Sequence, residues 1–126
     1  MSMKHDIVAD CMSSLKNAES VGKSICFVPM SKLVKNILEV MKKNGYIEDF
    51  EESGNKFLVK LNKKINDCNV IRPRFSVNVK EFDKWKKRYL PARDFGILIL
   101  TTNQGVMDHN EAEKRKIGGK LLCYVY

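Results

Sequence analysis

The stretch GILILTTNQGVMDHNEAEKRKIGGKLLCYVY, Gly96 to Tyr126, decides the architecture of this chain. Ile97 to Leu100 contains no polar position, so Phe95 to Thr101 reads as a central strand covered on both faces. Thr101, Thr102, Asn103, Gln104 and Gly105 follow, the residue types that turns accept most readily. Asp108 stands where a helix N-cap is expected, with Glu111 three residues on as a capping-box partner. His109 to Ile117 then reads as a helix with Glu111 in its first turn. Lys114, Arg115 and Lys116 fill its last, which complements the helix dipole. Gly118-Gly119 reads as its stop, and LLCYVY as the final strand.

Upstream, Arg72 to Arg93 holds eight bases and two acids, a net of +6 within a chain whose formal charge is +8. FSVNV (Phe75 to Val79) alternates as a half-buried strand should, and EFDKWKKRYL (Glu81 to Leu90) reads as a short basic helix ended by Pro91. Phe75, Phe82, Trp85 and Tyr89 are interleaved with these bases, as a nucleic-acid surface would have them. The spacing of Phe82, Trp85 and Tyr89, three and four apart, favours instead the inner face of that helix, with its bases facing out. LNKKINDCN (Leu61 to Asn69) is polar and reads as a linker. Asp94-Phe95-Gly96 spells a kinase tripeptide, but the other kinase motifs are missing, so the match carries no chemistry.

The N-terminal half reads α-β-α-β-β. Ile7, Cys11 and Leu15 form a helical stripe within roughly Lys4 to Ser20. SICFV (Ser24 to Val28) is a buried strand closed by Pro29. Ser31 caps a helix that carries Leu33, Val34, Ile37, Leu38 and Met41 at helical spacing, and Asn44-Gly45 ends it. YIEDFEE and KFLVKL flank a Ser53-Gly54-Asn55 turn. The cluster Glu48, Asp49, Glu51, Glu52 reads as solvated rather than as a metal site. The expected fold is α+β in two small domains: 1–62, and a β-rich 63–126 with short helices.

Composition narrows the function classes. No apolar run approaches the roughly 20 residues that span a bilayer, and the N-terminus lacks a signal-peptide core, so a soluble, unprocessed protein is expected. A pI near 9.4 favours a polyanionic partner. The four cysteines, Cys11, Cys26, Cys68 and Cys123, are scattered, which excludes a clustered zinc site and fits a reducing compartment. No nucleophile lies beside His5 or His109, and no cofactor or small-molecule substrate is implied. The chemistry on offer is neutral hydroxyl and amide groups beside bases, which suits sugar, base-edge and phosphate contacts. On residue chemistry alone Thr101 to Gly105 reads as a turn before it reads as a site.

Several ordered motifs change that balance. The opening H-D-I-V-A-D with N-A at Asn17-Ala18, P-x-S-K-L (Pro29 to Leu33), G-Y-I (Gly45 to Ile47) and above all T-T-N-Q-G-V-M-D-H-N-E-A with G-G-K (Thr101 to Lys120) occur in sequence. Together they resemble the small-subunit ribosomal protein S-eight family over essentially the whole chain. R-P-R-F (Arg72 to Phe75) and Y-L-P-A-R-D-F-G (Tyr89 to Gly96) resemble its archaeal and eukaryotic branch. The resemblance implies a non-enzymatic cytoplasmic protein within the ribosome. Such a protein binds the central domain of small-subunit rRNA, supports its assembly and meets neighbouring ribosomal proteins. It places the family's Ser-Thr-Ser contact on Thr101, Thr102 and Asn103, beside Gln104 and Gly105. It also nominates Lys120, His5 and Asp6 as RNA-binding; Arg72 and Arg74 of the basic stretch, and Lys32, are expected beside them as bases. Asn103 departs from the family's serine or threonine, Ile7 from its frequent proline, and Lys120 from the bacterial glutamate. An alternative of another class is a repressor that binds an mRNA stem off the ribosome. A third is a DNA-binding regulator using the basic helix, for which Trp85 would stay partly exposed or the basic face would enter a groove.

Overall fold

The computed structural model describes residues 6–92 and 95–126; His5, Arg93 and Asp94, named above, lie outside them. Helix α1 spans Ile7–Ser20, with Asp6 as N-cap: its carboxylate accepts from the N–H groups of Val8 at 3.1 Å and Ala9 at 3.3 Å. The helix begins at Ile7, inside the expected segment, because Asp6 keeps extended backbone at φ −82°, ψ 103°; Lys4, named for that segment, lies outside the described residues. Ile7 is the first helical residue, a position that suits proline because its N–H has no helical partner. Val8, Cys11, Met12, Leu15 and Ala18 form the buried stripe.

Strand β1 (Ile25–Pro29) leads to α2 (Lys32–Lys43), capped by Ser31, whose hydroxyl accepts from Val34 N–H at 3.0 Å. Strands β2 (Asp49–Ser53) and β3 (Lys56–Lys60) form a hairpin, and the sheet order is β1-β3-β2, antiparallel throughout. This is the expected α-β-α-β-β, but β1 is not the buried strand expected of SICFV: it is an edge strand that buries Cys26 and Val28 and leaves Ile25 and Phe27 exposed. Glu51 and Glu52 lie exposed on β2, while Asp49 pairs with Lys42 at 2.9 Å.

The second half holds β4 (Cys68–Val70), β5 (Ser76–Val77), α3 (Phe82–Tyr89), β6 (Ile97–Thr102), β7 (Gly105–Asp108), α4 (His109–Arg115) and β8 (Gly119–Val125). The fold is α+β, with a β-rich second half and short helices. Its sheet runs β4-β8-β6-β7, and β5 also pairs with β8. Four local expectations are corrected. The polar stretch 61–69 is not all linker, because its end pairs with β8 as β4 and buries Cys68. Ser76–Val77 is all that remains of the strand read over 75–79. Asn78 leaves it to cap a 3-10 turn, Val79–Glu81, in a reciprocal capping box with Glu81.

Thr102 and Gly105, expected in the turn, instead pair with each other as the ends of β6 and β7, and Thr101 pairs with Val106. Helix α4 ends at Arg115 because Lys116 turns left-handed (φ 56°, ψ 43°), not because of the glycine pair. Those glycines serve close approach instead. A Cβ on Gly119 would collide with the Thr101 carbonyl, and one on Gly118 with the Val77 carbonyl and, at 2.8 Å, with the Asn78 Cα.

Strand β6 is buried on both faces. Ile97 and Ile99, with Cys123 and Val125, join the core formed by α1, α2 and the first sheet. Leu98 and Leu100, with Leu121 and Met107, pack against Phe82 and Trp85 of α3 and Ala112 of α4. The register of β6 on β8 shifts between Ile99 and Leu100, so Leu121, Leu122 and Cys123 are all buried in succession.

Candidate nucleic-acid interface

The β6–β7 hairpin turns at Asn103-Gln104. Neither has positive φ, and Gly105 supplies it instead at +113°, a conformation a side chain would resist. Thr102 shapes this turn from within. Its hydroxyl accepts from Gln104 N–H at 3.0 Å and donates to the Gly105 carbonyl at 2.9 Å. Gln104 is tied in turn, its amide oxygen accepting from Arg115 Nη1 at 2.9 Å. Asn103 is exposed at the tip, and its amide has no hydrogen-bond partner among the described residues.

Thr101 belongs to a different row. It lies opposite Lys120 of β8 and Val106 of β7, and Lys120 lies opposite Ser76 of β5. Directly opposed residues of antiparallel strands share a face. Hence Ser76, Lys120, Thr101 and Val106 form one line across the sheet, two hydroxyls flanking an ammonium. Ser76 and Lys120 are exposed, Thr101 and Val106 half-buried. The glycine before Lys120 permits this by letting β8 close on the Thr101 backbone.

Arg72 and Arg74 flank the same edge. They lie between β4 and β5, where the Arg72–Pro73 peptide is cis, and both side chains are exposed. Arg72 Nε donates to Asp6 Oδ2 at 3.1 Å, which joins the start of α1 to this edge. Asp6 therefore caps a helix and anchors an arginine. Lys32 is exposed one turn before Asn36 on α2, and Asn36, Val40 and Lys43 face Gln104 and Gly105 across an open cleft of about 360 Å³. The structure thus gathers Thr101, Lys120, Arg72 and Asp6 along connected elements, with the hairpin tip at one end. Sequence reasoning overlooked Ser76, whose signal was its alternation with buried Val77. It also overlooked Arg115, whose signal was its helical spacing from Glu111.

The basic helix follows the inward reading for its aromatics. Phe82 and Trp85 are buried and Tyr89 is half-buried, so Trp85 offers no stacking face on the surface. Arg88 lies over the rings of Phe75, Trp85 and Tyr89 at 5.2 to 5.5 Å. Lys86 is engaged with Asp83 at 3.1 Å and Glu113 at 3.6 Å.

The titratable groups point away from reaction chemistry. Burial pushes the Cys68 thiol up to about 12 and raises those of Cys11, Cys26 and Cys123, so all four stay protonated. Among the described residues no group of three His, Cys, Asp or Glu is placed to hold a metal. His109 is buried at the start of α4, and its Nδ1 accepts from Leu98 N–H at 3.1 Å, a structural role.

Fold and surface together define a small basic α+β protein whose outward chemistry is hydroxyl, amide and cation. The family model for ribosomal protein S8 matches residues 6–126, and the chain belongs to that family. Over 129 aligned residues it is 52% identical to the small ribosomal subunit protein uS8 of Archaeoglobus fulgidus, spanning 98% of this chain and 100% of the relative. It is 50% identical to that of Methanococcoides burtonii, over 96% of this chain and 97% of the relative. The Picrophilus torridus protein of the same name is 49% identical, over 98% and 100%. These relatives are archaeal, which agrees with the branch that R-P-R-F and Y-L-P-A-R-D-F-G resemble.

Proposed function

We propose that this chain is a structural constituent of the small ribosomal subunit that binds the central domain of small-subunit rRNA and supports its assembly. The relatives are named as small ribosomal subunit proteins, and the family is a structural, non-enzymatic one. The protein would then act in the cytoplasm within the ribosome, beside other ribosomal proteins. The observation that carries the RNA surface is the line Ser76–Lys120–Thr101 running beside the exposed Asn103. Hydroxyls and an amide can address sugars and base edges, while Lys120, Arg72, Arg74 and Lys32 meet phosphates. His5, next to the Asp6 cap, completes the proposed set.

The division of labour within the hairpin is specific. Thr102 holds the turn, Gln104 is held by Arg115, and Asn103 reads the ligand. Filter binding to a central-domain rRNA stem tests this. Asn103→Ala should weaken binding by about 1–3 kcal/mol, the range for a base-edge contact. Lys120→Gln should lower the slope of log affinity on log salt by about one. Unchanged affinity in the first variant and an unchanged slope in the second would remove this surface from consideration.

A further inference from the structure

On the side of the first sheet, β1 is an edge strand with an unusual outward face. Ile25 is 45% and Phe27 48% exposed, and Val21 beyond the end of α1 is 68% exposed. They border an open cleft of about 630 Å³ between β1 and the last turns of α1, whose floor includes Asn17 and Ala18. The backbone there is unfinished as well. Leu61 N–H donates to the Ser24 carbonyl at 2.9 Å, opposite it in the β1–β3 register. By antiparallel alternation Cys26 and Val28 also bond to β3, and Ile25 and Phe27 turn their N–H and C=O groups to the open edge. The Phe27 carbonyl has a 3.6 Å contact from the Cys26 thiol, a weak donor. The same two residues thus offer exposed apolar side chains and open backbone groups, the combination that invites an added strand.

Charge says which strand. Among the described residues Lys23 is the one charged residue lining the cleft, Lys60 lies beside Ile25 and Lys56 beside Pro29. Two acids on that face, Glu51 and Asp49, lie one strand further off, across Leu58 and Lys60, and Asp49 is paired with Lys42. A second copy of a chain with formal charge +8 would bring like charge to this rim. A nucleic acid has no backbone that alternates N–H and C=O groups at strand spacing, so it cannot complete the open edge at Ile25 and Phe27. We infer that the β1 edge is a docking site for an extended, acidic segment of another protein, which adds a strand alongside Ile25 and Phe27 and lays apolar side chains over them. This site is separate from the proposed rRNA surface and does not depend on it. Pro29, lacking an N–H, limits the added strand to the Ile25–Phe27 portion of the edge.

The test uses the full chain, ¹⁵N-labelled, and a capped eight-residue peptide alternating glutamate and valine. Amide exchange and chemical shifts should change first at Ile25 and Phe27. A lysine–valine counterpart should bind at least tenfold more weakly, and Phe27→Ser, which removes the apolar ring at an already exposed position without adding charge, should weaken the acidic peptide at least fivefold. N-methylation of the peptide's edge-facing amides should abolish the protection. The inference is overturned by absence of protection at Ile25 and Phe27, or by equal binding of the basic or N-methylated peptide. It is also overturned if the same amides become protected by concentration-dependent dimerisation, or by a single-stranded RNA such as oligouridine and not by the peptide.

Discussion

Arg115 Nη1 donates to Gln104 Oε1 at 2.9 Å, and its Nε donates to Glu111 Oε2 at 2.8 Å, so one guanidinium fastens the β6–β7 hairpin tip to α4. Glu111 is thereby drawn away from the reciprocal capping bond expected of it. Asp108 still caps α4 by accepting from Glu111 N–H at 3.3 Å.

Arg115→Ala should therefore act locally. These contacts are solvent-screened, so global stability should change little. Amide exchange at residues 103–105 should rise and affinity for the rRNA stem should fall. Hydrogen exchange followed by NMR separates the two effects. Unchanged exchange at 103–105 would show that the turn's own bonds through Thr102 suffice to order it.

Gly119→Ala should be costly for both fold and binding. The new methyl would collide with the Thr101 carbonyl and approach Thr102 Cγ2 at 3.0 Å, and the backbone neighbour cannot rotate away. Overpacking of this kind costs about 1–3 kcal/mol. Urea denaturation would measure it, and a midpoint like that of the unmodified chain would show that β6 and β8 can part there freely.

Much of this was legible because the residues state it locally. The GILIL run could be buried only as a central strand, and Ser31, Asp108 and the α2 stripe announce their helices. What was hidden depended on partners distant in sequence. Strand β4 is three residues long and carries a single buried side chain, Cys68, so it becomes a strand only through Val125 and Cys123 of β8. Strand β7 hides behind the polar turn, since Thr102 and Gly105 look like loop until they pair with each other. The glycine pair looked like a helix stop because sequence cannot show that the backbones of β5 and β6 press on it. For the candidate site, the signature residues were visible by resemblance, while the Ser76–Lys120–Thr101 line required the register.

Asp6 has two separable duties, and two substitutions should part them. Asp6→Ala removes the N-cap and should cost about 1 kcal/mol in thermal or urea unfolding. Asp6→Asn keeps a capping acceptor and should recover most of that loss while still releasing Arg72. If Asn recovers nothing, the Arg72 pair and not the cap dominates at this position.

His109 should give the fold a pH dependence near neutrality. Burial lowers its pKa below the usual 6.5, and Lys86 lowers it further, against the opposing pull of Asp108 and Glu113. Its Nδ1 accepts from Leu98 N–H, which requires that nitrogen to be unprotonated. The unfolded chain therefore takes up a proton near its ordinary pKa, whereas the folded chain resists. Stability is fully present above about pH 6.5 and is lost as pH falls from there towards the folded value, by up to about 1.4 kcal/mol per pH unit. Asp49 and Glu111 do not contribute in that window. Lysine and arginine partners hold their carboxyls below the usual range, so their losses come at lower pH. Urea unfolding at intervals from pH 7.5 to 5 should show this slope, and His109→Gln, which keeps an acceptor but cannot titrate there, should flatten it. A slope that persists unchanged in the variant would assign the pH dependence to another group.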